Sequence, residues 1–151
     1  MRAINLVIIF LIIGSLSAPA QNESQIYISK SVDGTIETVK PKLEEALKAE
    51  KFGVITEVDM SKTLKEKLNE DIMPYLILGV CNAGHAFEAL KAEENIGVFL
   101  PCKVILKQVE SNKVEVVAVN PALMMQMIGN DKLNPTAEAV TTQLRKVISS
   151  L

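Results

Sequence analysis

Tryptophan is absent from this chain, and with two tyrosines and four phenylalanines the aromatic share is only 4%. Basic residues are not in surplus either, because 16 Lys and Arg stand against 18 Asp and Glu. A chain that holds nucleic acid carries a basic excess and usually aromatics that stack on bases, so this partner class is set aside. Two cysteines, Cys81 and Cys102, are too few for a disulfide scaffold. The single histidine, His85, leaves no His-x-x-x-His pair, no Cys-x-x-Cys spacing accompanies it, and neither a phosphate loop nor a zinc-protease motif occurs. No metal ion and no cofactor are expected on these grounds. Runs of spanning length are missing as well: the longest apolar stretch, even taken from Ala3 to Leu16, falls short of the roughly 20 residues that cross a bilayer.

What that stretch does have is the layout of a secretory signal. Arg2 precedes the uncharged run Leu6 to Ile13, small residues follow, and Ala18-Pro19-Ala20 closes the segment, so residues 1–20 read as a signal peptide cut after Ala20. No cysteine lies near the cut to take a lipid. The mature chain, 21–151, is then expected in the periplasm or outside the cell, with no membrane span. It is long enough for one core. Loss of Arg2 leaves 15 basic against 18 acidic residues, a mildly acidic domain. An oxidising compartment would let the two thiols pair once. Asn22-Glu23-Ser24 is a glycosylation acceptor in a eukaryotic host.

Periodicity orders the rest. Ile26 to Ile28 begins a strand. A helix follows on Val39, Leu43, Ala46 and Leu47, which Pro41 should kink or delay. Phe52 to Val58 reads as a second strand, and Ser61 as cap of a short helix through Leu64 and Leu68. The run Tyr75 to Val80 has no polar alternation and reads as a central strand buried on both faces. Asn82 caps a helix to about Glu93 that turns Ala86, Ala89 and Leu90 inward. Val98 to Val109 and Lys113 to Val119 form a hairpin. Pro121 opens a Met-rich helix to Ile128, and Asn134 with Pro135 opens the last one. The result is an α+β single compact domain of order β-α-β-α-β-α-β-β-α-α, with a central sheet covered by helices.

Four ordered segments carry a resemblance: Phe52 to Asp59, Lys65 to Leu68, Pro74 to Asn82, and Ile96 to Val104. Together they resemble the domain of unknown function 302 family. The resemblance implies a compact α+β domain, a homodimer, and no established activity. The chain departs from that pattern at Ala83 and Lys103, where the family has Pro and Asn.

Cys81 and Cys102 are the candidate catalytic residues. Cys81 ends a strand just before a helix, where the positive end of the helix favours a thiolate; the plainer role is a small core residue. A disulfide, two free thiols and a redox pair are all open to them. Asn82, Gly84 and His85 are the candidate ligand-binding residues, because backbone N–H groups at a strand-to-helix turn can hold an anion; a tight turn and a cap histidine are the ordinary alternatives. Three soft donors, Cys81, His85 and Cys102, fall short of a four-ligand zinc site. Glu57 and Asp59 would share a strand face as a carboxylate pair. Met125 falls off the apolar stripe of its helix, which suggests an interaction surface. The leading expectation is an exported accessory module that binds a small ligand or a partner as a homodimer; the alternative is thiol redox or sulfur-transfer chemistry at Cys81 and Cys102.

Overall fold

Alternation along five antiparallel strands sorts their apolar side chains so that one face of the sheet carries most of the core. The structure, a computed structural model, describes residues 26–151; the signal segment, its cut and the glycosylation acceptor lie outside them. Strands β1 (Tyr27–Asp33), β2 (Gly53–Asp59), β3 (Tyr75–Cys81), β4 (Cys102–Glu110) and β5 (Lys113–Val119) lie in the order β1-β5-β4-β3-β2. Helices α1 (Ile36–Ala49), α2 (Met60–Leu68), α3 (Ala83–Ala92), α4 (Pro121–Gln126) and α5 (Asn134–Ser150) join them, with 3₁₀ turns at Glu94–Phe99 and Asp131–Leu133. The α+β class and the element order are those expected from the sequence. Among the described residues, no helix is long and apolar enough to cross a membrane.

The register makes the core. Ile28 pairs with Ala118, Ala118 with Val104, and Val104 with Leu78, so one row of side chains crosses four strands on the same face. Val39, Leu43 and Leu47 of α1 and Leu144, Val147 and Ile148 of α5 close over that face. Their spacing of three and four residues is what aligns them. Fully burying each Val, Leu or Ile stabilises the fold by about 1.5–3 kcal/mol.

Helices α1 and α5 cover this face. The other carries a direct cross-strand row of Val58, Ile77, Ile105 and Val117, of which Val58 is exposed and Ile77 half-buried. β3 is therefore not a central strand buried on both faces: it lies second from the edge, and β4 is central. Its unbroken apolar run has two separate causes, the helices against Leu76, Leu78 and Val80 and the neighbouring strands against Tyr75 and Ile77.

Several boundaries differ from expectation for local reasons. α1 starts at Ile36 behind a Thr35–Thr38 capping box and runs through Pro41. Asp59, not Ser61, caps α2, accepting from Lys62 N at 2.9 Å and from the Ser61 hydroxyl at 2.7 Å. Val98 and Phe99 belong to a 3₁₀ turn, so β4 begins only at Cys102. Asn134 lies inside α5, because the preceding 3₁₀ turn runs directly into that helix. Leu90 of α3 faces solvent.

A second, smaller cluster of Ala89, Ile96, Met125, Leu133 and Ala137 sits where α3, the Glu94–Phe99 turn, α4 and α5 meet. Met125 is thus the buried methionine of α4, and Met127, 80% exposed, is the one facing out. The stripe expected from spacing fails because α4 is only six residues long and is oriented from outside: Thr141 Oγ1 accepts from Ala122 N at 2.9 Å and donates to Asn120 Oδ1 at 3.1 Å.

Candidate functional site

The two clusters do not close completely against each other. Between them lies a cavity of about 60 Å³ that opens to the surface, walled by Phe52, Val80 and Val140 from the main core and by Ala89, Ile96, Met125 and Ala137 from the smaller one. Its polar groups are Asn82, His85, Thr136 and the two thiols. No Asp, Glu, Lys or Arg lines it. Such a mostly apolar concavity with a few polar groups is the usual form of a small-ligand site.

The candidate site residues all reach this cavity except Gly84. Cys102, first residue of β4, pairs directly with Val80, which puts both on the helix-covered face. Cys81 is the next residue after Val80 and ends its strand. Both cysteines are free thiols. Burial pushes the Cys102 thiol up to about 11, and the neighbouring Cys81 adds to the rise; Cys102 is therefore protonated at neutral pH and a poor nucleophile there.

The turn after β3 is closed on itself. Asn82 Oδ1 accepts from Gly84 N at 3.1 Å and from His85 N at 3.4 Å, while its Nδ2 donates to Glu50 O at 3.4 Å. The N–H groups that an anion would need already have a partner in the cap. His85 Nε2 is hydrogen-bonded to Gln143 Oε1 of α5 at 2.9 Å, so the ring bridges α3 and α5 at the cavity. Among the described residues, no three His, Cys, Asp or Glu side chains are grouped to hold a metal ion, and Cys81, His85 and Cys102 are not brought together as ligands.

Glu57 and Asp59 each have structural work. Glu57 pairs with Lys40 of α1 at 2.6 Å, and Asp59 caps α2, whose Lys62 N–H and Ser61 hydroxyl hold its carboxyl below the usual range. Sequence patterns had no signal for the cavity itself, because its walls come from seven elements and the residues between them, spread between Phe52 and Val140. Only the thiols, Asn82 and His85 pointed to it.

A profile of the domain of unknown function DUF302 matches residues 28–151 of the chain. None of the curated proteins matches it. Among solved structures, the crystal structure of an uncharacterized conserved protein DUF302 from Bacillus stearothermophilus is similar: it is 27% identical, superposes with a TM-score of 0.77, and the match covers 82% of this chain and 96% of that one.

Proposed function

We propose, starting from the fact that this chain belongs to the DUF302 family, that it is an exported accessory module whose cavity between the two apolar clusters binds a small apolar ligand. One observation carries this: a cavity reached from the surface has walls from seven elements and no charged side chain among them. A charged or strongly polar ligand would lose its hydration there without a compensating partner. A neutral ring or short alkyl chain would lose none. Export follows from the signal-like segment 1–20.

A neutral dye such as Nile red tests the cavity. Its fluorescence should rise on binding, and Ala137→Phe, or the milder Ala89→Leu, should weaken that binding about tenfold or more by filling the space. A native protein that leaves the dye unbound defeats the ligand reading.

The module acts as a homodimer. Support comes from the segment around α2, where Ile55, Val58, Leu68, Ile72 and Met73 are all exposed and α2 buries no residue of its own. Apolar surface gathered in this way marks a contact. Light scattering after gel filtration should give twice the chain mass, and Leu68→Glu should halve it; a native monomer at high micromolar concentration excludes the dimer.

Thiol exchange is the weaker reading. It needs two exchangeable sulfurs, and burial keeps Cys102 protonated.

A further inference from the structure

Beside the cavity, where α4 and the Glu94–Phe99 turn meet the sheet face that carries Ile105 and Val117, lies a second hollow. It is an open groove of about 360 Å³ whose walls include Tyr27, Val98, Ile105, Val117 and Met124. Phe99, Cys102, Pro121 and Met125 line both hollows, so the two lie back to back with these four side chains as the partition. Across both linings, Lys103 is the one charged side chain. Its ammonium donates to Pro101 O at 2.7 Å and acts electrostatically on the Cys102 thiol next to it. A single cation therefore stands at the edge of otherwise apolar walls.

We propose that the groove is a site for a single-chain amphiphilic anion, such as a fatty carboxylate, whose head pairs with Lys103 and whose tail lies along the groove as far as Phe99, on the partition shared with the cavity. The groove is a separate hollow, so the proposal goes beyond the cavity reading. Charge complementarity selects the class: a neutral alkyl chain would leave Lys103 unused, while a dianion or a sugar would find no second cation and too few hydrogen-bonding groups. A carboxylate beside an ammonium on a half-apolar rim makes a charge-assisted hydrogen bond, stronger than a neutral one. Lys103 gives up only a bond to a backbone carbonyl to make it.

Isothermal titration of the full chain with dodecanoate and with dodecan-1-ol tests this. Dodecanoate should bind about tenfold more tightly than the alcohol. Lys103→Gln should remove that preference and leave the alcohol unchanged, and Lys103→Arg should keep it. Equal binding of the two compounds, or a preference that survives Lys103→Gln, overturns the amphiphile site while leaving the apolar cavity standing. If neither compound binds, the groove proposal fails, while Nile red still decides the cavity reading. Binding to phosphatidylglycerol vesicles that depends on Lys103, without binding of free dodecanoate, also overturns it, in favour of a membrane surface.

Discussion

Pro101 packs over Gly79 so closely that a β-carbon on the glycine would lie 2.5 Å from the proline Cγ and 2.1 Å from Thr56 Oγ1. Gly79 pairs directly with Thr56 on one side and with Lys103 on the other. The absence of a side chain at this point lets the segment entering β4 lie against the sheet.

Gly79→Ala should therefore destabilise the fold by about 1–3 kcal/mol, because the added methyl meets a strand neighbour and a proline ring rather than a flexible chain end. Urea unfolding measures it. A variant as stable as the native chain would show that Pro101 moves aside freely.

Gln108 should prove as demanding. It is buried on β4, its Oε1 accepts from Ile36 N at 3.3 Å, and its Nε2 donates to the carbonyls of Gly34, Glu110 and Lys113 at 3.1, 2.7 and 3.3 Å. One amide thus fastens the start of α1 to the β4–β5 hairpin. Gln108→Leu keeps the volume and removes every bond, so a loss of about 1–3 kcal/mol is expected from the unsatisfied groups. Amide exchange at Ile36 should speed up in parallel.

Cys102 gives stability an alkaline dependence. Its folded value of about 11 lies above the ordinary 9.0, so between these limits the unfolded chain loses the proton first. The stabilisation is complete below pH 9 and is lost as the pH rises through about 11. Comparison with Cys102→Val isolates it from the lysines: the stability difference, native minus variant, should fall across that window. An unchanged difference would mean the thiol is solvated.

Asp59 works at the opposite end of the scale. Its carboxyl is held below 3.8 by the Lys62 N–H and the Ser61 hydroxyl, so its contribution is present above that value and disappears as the pH falls through the folded one. Asp59→Ala should cost about 1 kcal/mol at neutral pH as a lost cap. The difference in urea midpoint between the variant and the native chain should shrink as the pH is lowered below 3.8.

Where a pattern is long and locally enforced, the sequence was enough to read it. Val39, Leu43 and Leu47 on α1, and Leu144, Val147 and Ile148 on α5, repeat at helical spacing and lie in the core as that spacing requires. Cys81, Cys102 and His85 were also legible as residues that meet one region. Val98 and Phe99 misled because apolar, β-prone residues also suit a 3₁₀ turn that packs Ile96 into the smaller cluster. Met125 misled because a six-residue helix has no stripe of its own and takes its rotation from Asn120 and Thr141. The closed Asn82 turn was hidden for another reason: a residue that can bind an anion with its neighbours' N–H groups can equally cap them itself.

The division of the core into two clusters has a consequence for motion. The larger one is braced by four inter-strand ladders, while the smaller gathers five buried side chains from short helices and turns. Free energy of opening should follow that difference, so hydrogen exchange ought to reveal two tiers, with α3 and α4 exchanging by a sub-global route and β3, β4 and β5 only through complete unfolding. The protein would then have a foldon that can part from the sheet and return, which admits a guest to the interior while the rest of the native state stays intact.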